Sequence, residues 1–214
     1  MKLNSFQLKC IAIITMLIDH MGAILFPGQM VFRYIGRISF PIFCFLLTEG
    51  FYHTRNVEKY IARLGVFALI SEIPYDLAFR NTYLEFSRQN VFFTLFIGVI
   101  MMYTIVRTNN ITIKAVYLLI SMWAAQTVAS DYGMKGILLI AVYHFFRENL
   151  PAKAILGASW NFIWNASIQG YGALATVPIL LYNGEKGRSM KYIFYVFYPV
   201  HLLILYFVSV ILIR

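Results

Sequence analysis

Residues Cys10 to Phe26 read CIAIITMLIDHMGAILF, an apolar run carrying one ionisable pair, Asp19 and His20. The run has no small-residue cleavage site, so it reads as a retained helix rather than a removed signal peptide. The rest of the chain supports a membrane setting. Of 214 residues, 60% are hydrophobic and 13% charged, and mean hydropathy is +0.70; a soluble domain carries about 25% charge. No linker, low-complexity tract or internal repeat divides the sequence, which implies one domain over residues 1–214. Cys10 and Cys44 form no CxxC and imply no disulfide framework.

Polar turn residues divide the apolar runs into about nine segments, within a range of eight to ten: 8–26, 30–52, 57–79, 91–106, 111–129, 133–146, 152–165, 168–182 and 192–213. The expected fold is all-α, a polytopic transmembrane helical bundle, with some short segments tilted or re-entrant. Placing the N-terminus in the cytoplasm puts Lys2, Lys9, Arg55, Lys59, Arg63, Arg107, Lys114, Arg147, Lys153, Lys186, Arg188 and Lys191 inside, 12 of the 18 basic residues. The remainder, Arg33, Arg37, Arg80, Arg88, Lys135 and Arg214, fall outside. This asymmetry satisfies the positive-inside rule and implies a multi-pass protein of the cytoplasmic membrane in contact with lipid. The net charge of +9 is thereby mostly topology, and its dispersal between spans argues against nucleic-acid binding.

At about 1.5 Å per residue, His20 lies roughly 18 Å beyond Leu8 in a hydrocarbon core about 30 Å thick. An ionisable group at that depth faces a bundle interior or a water cavity and points to function; the plainer alternative is a hydrogen-bonded pin between helices. Lys9 precedes His20 by eleven residues. That is three turns plus about 20°, so the two share a helix face about 16 Å apart along the axis. Such a face suits a long ligand with an anionic head and a reactive far end. Arg55, Lys59 and Arg63 recur every four residues and line a second cationic stripe, suited to phosphate binding or to headgroup anchoring.

Toward the outer side, Arg33 and Arg37 are four apart, as are Glu72 and Asp76. The two pairs are expected to form an ionic clasp bent at Pro74, with a carboxylate orienting or charging His20 as the catalytic alternative. Asp19 points about 100° away from His20 and is expected to join the arginines. Gln89 and Asn90 open a helix at the outer side, where they would contact an acceptor or cap the helix. Glu49 is expected to meet Lys9 or the Arg55 row. His53, His144 and His201 lack metal-ligand spacing, so no metal is expected and each reads as an interfacial or buried hydrogen-bonding group.

Stretches 9–27 (KCIAIITMLIDHMGAILFP), 32–79 (FRYIGRISFPIFCFLLTEGFYHTRNVEKYIARLGVFALISEIPYDLAF), 89–100 (QNVFFTLFIGVI), 132–147 (YGMKGILLIAVYHFFR), 177–187 (VPILLYNGEKG) and 191–206 (KYIFYVFYPVHLLILY) together resemble the TraX family over nearly the whole chain. That family is associated with N-terminal acetylation of conjugative pilin and in turn resembles the membrane acyltransferase-3 group. In that group a basic residue, ten intervening residues and a functional histidine mark the first helix, the spacing of Lys9 and His20. The resemblance implies acetyl-coenzyme A as acyl donor. Lys9, Arg55, Lys59 and Arg63 would bind it, and His20, with Asp19, Glu72 and Asp76, would perform the chemistry. An amine or hydroxyl acceptor would approach from the outer side past Arg33, Arg37, Gln89 and Asn90. Whether His20 acts as a general base or as an acyl carrier stays open. A secondary transporter, which should show inverted repeats, and a noncatalytic factor for pilus or envelope assembly are the rival classes.

Overall fold

The computed structural model describes residues 2–189 and 191–212. The expected placements of the Lys191 side chain, Ile213 and Arg214 lie outside the described residues. Eleven α-helices are present among them: α1 (Ser5–Ile24), α2 (Met30–Gly36), α3 (Ser39–His53), α4 (Val57–Ile70), α5 (Glu72–Arg80), α6 (Val91–Ile105), α7 (Ile111–Thr127), α8 (Gly133–Phe145), α9 (Leu150–Trp164), α10 (Thr176–Leu180) and α11 (Lys191–Leu212). A 3-10 helix, Gln169–Ala175, leads into α10. Each of the nine expected segments corresponds to one helix or one interrupted pair.

Asparagine sets many of the starts. Asn4, Asn56, Asn90, Asn110 and Asn149 each precede an apolar run, and each side-chain oxygen accepts a backbone N–H from the first turn. Asn4 and Gln7 complete a reciprocal capping box. A cap of this kind contributes about 1 kcal/mol, and it matters more where lipid offers the free N–H groups no partner.

Prolines set two of the interruptions. A proline lacks an N–H and its ring crowds the carbonyl four residues earlier, so a helix tends to break one turn before it. Pro41 lies in the first turn of α3, four residues after Arg37, where α2 ends. Pro74 lies in the first turn of α5, four residues after Ile70, where α4 ends. The bend expected at Pro74 therefore falls at Ser71.

The core is formed chiefly by α1, α3, α6, α8 and α11, with Leu8, Ala12, Ile42, Phe45, Val99, Met102, Ile137, Ile140 and Leu202 buried. α3 is enclosed along most of its length. The outer surface is apolar as well: Leu119, Ile120 and Trp123 of α7, Leu69 and Ile70 of α4, and Ile204, Phe207 and Ile211 of α11 are exposed. A greasy belt of that extent is costly in water and natural in lipid. Three helical stretches, Ser5–Ile24, Met30–His53 and Tyr192–Leu212, are long and apolar enough to cross a membrane, and Val91–Ile105, Ile111–Thr127 and Gly133–Phe145 are shorter apolar helices.

The connections gather at two ends. At one end Leu3 pairs with Tyr182, Ser5 N–H donates to the Glu185 carbonyl at 2.8 Å, and Tyr103 on α6 donates to Glu58 on α4. At the other, Gln89 pairs with Ser130, Arg88 bridges Asp131 at 2.7 Å and Tyr206 reaches Asn81. α1 and α11 run in the same direction: Phe6 packs on Phe194 near the first end, and His20 meets His201 further along both helices.

Candidate active site

The seam between α1 and α11 carries Lys9 and His20 on one face, as their spacing requires. Lys9 Nζ stands 5.3 Å from the centre of the Phe194 ring. Three turns on, the half-buried His20 ring packs edge-on against Tyr198 of α11 at 6.0 Å and Phe79 of α5 at 5.4 Å. His20 Nδ1 lies 2.7 Å from His201 Nε2. His201, buried, places its own Nδ1 2.7 Å from the Phe197 carbonyl oxygen one turn earlier on α11. The group that meets His20 is thus a second histidine rather than a carboxylate. The sequence marks His201 only as one of three unremarkable histidines. Its 181-residue separation from His20 leaves no local spacing signal, and only the return of α11 along α1 joins them.

Asp19 points the other way, into α2. Its carboxylate accepts from Arg33 Nη1 at 2.9 Å and from Arg37 Nη2 at 2.7 Å, and Arg33 Nη1 also donates to the Asp19 carbonyl at 3.1 Å. Gly36 permits this approach, since a Cβ there would overlap the Asp19 side chain; Gly22 on α1 likewise admits Phe32 of α2. Asp19 joins the arginines as expected, but the clasp from those arginines to Glu72 and Asp76 is not formed. The break before Pro41 lays α2 against α1, so Asp19 takes both guanidinium groups. α5 instead packs against α11. Glu72 accepts from Asn90 Nδ2 at 2.5 Å, and Asp76 accepts from the Glu85 N–H at 2.8 Å; both are buried. Asn90 also caps α6 and donates to the Ala68 carbonyl, so its polar atoms are taken up within the protein. Gln89 is buried, with its N–H on the Ala129 carbonyl.

The remaining expected pairs resolve locally. Glu49 bonds Lys153 at 3.0 Å rather than Lys9 or Arg55, because α9 brings a buried ammonium to its carboxylate. His144 pairs with the Tyr52 hydroxyl, and His53 with the Glu49 carbonyl. Among the described residues no group of three or more His, Cys, Asp or Glu is arranged to hold a metal ion.

A cavity of about 710 Å³ opens between α1, α3, α4, α6 and α11. Lys9, Arg55, Lys59 and Arg63 all line it, together with Lys186 and Arg188, which the sequence marks only by charge asymmetry, and with one carboxylate, Glu49, which is neutralised by Lys153. Deeper, the walls turn apolar and aromatic, through Phe43, Leu47, Leu64, Phe92 and Leu95. Arg63 stacks over Tyr60 at 5.6 Å, and its buried Nε has no hydrogen-bond partner, a donor facing no protein acceptor. The lining reaches Met16, one turn before His20 on the same helix face, and Tyr198, whose ring also touches His201 at 5.7 Å, and stops there. The cavity therefore grades from a cationic mouth to apolar walls, and Tyr198, which lines it, touches the rings of both His20 and His201.

The chain is 31% identical over 232 aligned residues, 94% of each chain, to the probable fimbrial assembly protein FimC, serogroup H1, of Dichelobacter nodosus. It is 30% identical over 141 residues, 63% of this chain and 51% of the relative, to an uncharacterised protein of Rickettsia prowazekii (strain Madrid E). No solved structure matches it. The TraX protein family matches residues 5–209, from the first turn of α1 to the last turns of α11, and so takes in the basic cavity and both histidines; the chain belongs to the TraX family.

Proposed function

We propose that this protein is an integral membrane acyltransferase that moves an acetyl group from acetyl-coenzyme A, entering from the cytoplasm, to an amine or hydroxyl of the cell envelope. The observation that carries the reading is the graded cavity, six cations at its mouth and apolar walls leading to the neighbours of His20. A ligand that fills it has a polyanionic head and a slender, weakly polar tail. Acetyl-coenzyme A has that form and, when bound, supplies an activated acyl carbon as a thioester. Lys9, Arg55, Lys59 and Arg63 fit its phosphates, and the unpartnered Arg63 Nε is a donor such an acceptor would satisfy. The α4 N-terminus, beside Asn56 at the mouth, adds partial positive charge.

His20 then serves as general base. As the acceptor nitrogen or oxygen bonds to the acyl carbon, its proton passes to the imidazole; the carbon–sulfur bond breaks and the thiolate leaves with that proton. Asp19, through Arg33 and Arg37, holds α2 against α1 beside His20, and α5, which carries Glu72 and Asp76, sets Phe79 against the His20 ring. Membership of the TraX family and the likeness to a probable fimbrial assembly protein favour a pilin amine as acceptor. The test is incubation of purified protein with labelled acetyl-coenzyme A and membrane extract: label transferred to an envelope protein or glycan supports the reading. Its absence from every acceptor fraction would leave a noncatalytic assembly factor as the better description.

The proposal includes an orientation, nine membrane segments with the N-terminus inside. The shared direction of α1 and α11 supports it, because an odd number of crossings returns the last helix parallel to the first. Reporters fused after Arg55 or Arg188 should score cytoplasmic and those near Arg88 external. A cytoplasmic score near Arg88 would reverse the entry side of the donor.

Neutralising Arg55 or Arg63 should weaken coenzyme A binding about tenfold, the scale of one lost charge-assisted hydrogen bond. Arg63 should matter more, since it is the less exposed of the two. Calorimetric titration with coenzyme A measures both, and parent-like affinity in both variants would reduce them to topological anchors.

A further inference from the structure

We propose that His201 is a positioning residue that fixes His20 in the tautomer with its proton on Nδ1 and its lone pair on Nε2. The inference rests on the acyl-transfer reading for its consequence but on local chemistry for its content. The Phe197 carbonyl can only accept a hydrogen bond, so the 2.7 Å contact requires a proton on His201 Nδ1. A neutral imidazole has one donor and one acceptor, which makes His201 Nε2 the acceptor. The 2.7 Å contact to His20 Nδ1 then requires that nitrogen to donate. His20 Nε2 is left with a lone pair, the form a general base needs.

The arrangement also sets where a proton can go. A backbone carbonyl at the end of the chain does not take up a proton, so the relay from His20 to His201 to Phe197 closes on itself. A proton received at His20 Nε2 leaves from the same nitrogen, as a transfer from acceptor to departing thiolate demands. His201 stabilises the imidazolium by accepting from Nδ1–H without competing for the proton. It plays the orienting part that a carboxylate plays beside other catalytic histidines, without placing a second charge in the membrane. Tyr198 packs on both rings and limits their rotation.

The experiment uses full-length protein labelled with [15N]histidine in lipid nanodiscs at a pH where His20 is neutral, its signal identified by loss in His20→Asn. Nitrogen chemical shifts should show His20 protonated at Nδ1 and not at Nε2. His201→Leu, which offers no acceptor, should give a mixture of tautomers and lower kcat roughly 10- to 100-fold, with KM for acetyl-coenzyme A within about twofold. His201→Gln, whose side-chain oxygen accepts from Nδ1–H, should restore the tautomer and most of the rate. The leucine variant is first shown to elute as the parent does from a sizing column. A parent His20 protonated at Nε2, a leucine variant with unchanged tautomer or rate, or a folded glutamine variant as impaired as leucine would each overturn the assignment. A parent that shows the Nδ1–H tautomer yet transfers no acetyl group from labelled acetyl-coenzyme A to membrane extract would overturn the acyl-transfer reading while upholding the orientation of His20 by His201.

Discussion

Replacement of His20 by alanine should lower acetyl transfer by about two or more orders of magnitude, the scale on which enzymes lose a general base, while coenzyme A still binds. Binding survives because the cationic mouth and the apolar walls of the cavity are built from other residues, and its lining stops at Met16 and Tyr198. Alanine has a second effect that must be separated from the first. It leaves the buried His201 Nε2 without its hydrogen-bond partner, at a cost of about 1–3 kcal/mol in stability. Asparagine removes that ambiguity, since its side-chain N–H can still donate toward His201 but cannot take up a proton. His20→Asn should therefore fold close to the parent, judged by thermal unfolding in detergent, and remain as inactive as His20→Ala in a single-turnover assay with labelled acetyl-coenzyme A. A folded asparagine variant that transfers acetyl at near the parent rate would reduce His20 to a structural pin.

The face of His20, shared with Lys9 and turned away from Asp19, was readable from α1 alone, because helix geometry fixes it. The cationic cavity was partly readable too: Lys9 and the Arg55, Lys59 and Arg63 stripe each declare a face, although not that the two faces meet. The 182–189 connection adds Lys186 and Arg188 to the same mouth, and no periodicity marks them because they lie in a turn. The unreadable parts depend on which helices become neighbours. Four candidate charges at a common outer depth suggested one clasp, whereas the turn before Pro41 gives both arginines to Asp19 and leaves Glu72 and Asp76 with Asn90 and Glu85. His201 could not have been chosen over His53 or His144 by composition or spacing. Its role follows from the parallel return of α11 along α1.

Asp19→Asn should destabilise the protein by about 3–5 kcal/mol, the usual cost of breaking a buried ion pair from one side, with little change in turnover per folded molecule. Asp19 is buried and is the shared partner of Arg33 and Arg37, whose side chains are 30% and 13% exposed. Removing its charge leaves two guanidinium groups without a counter-charge in the seam between α1 and α2. The arginines hold α2 to α1 at the level of His20, so the loss should appear as a lower unfolding temperature and lower yield. A variant combining Asp19→Asn with Arg33→Gln and Arg37→Gln gives the sharper comparison. It contains no charge to leave unpaired and should regain much of the stability lost by the single change, as neutral replacements of buried ion triads do. If the clasp only holds the helices, turnover in this triple variant stays within about tenfold of the parent. A well-folded Asp19→Asn protein with kcat reduced a hundredfold would instead place this carboxylate in the chemistry. The excess positive charge of the clasp would then have to act on the acceptor or on the developing oxyanion beside His20.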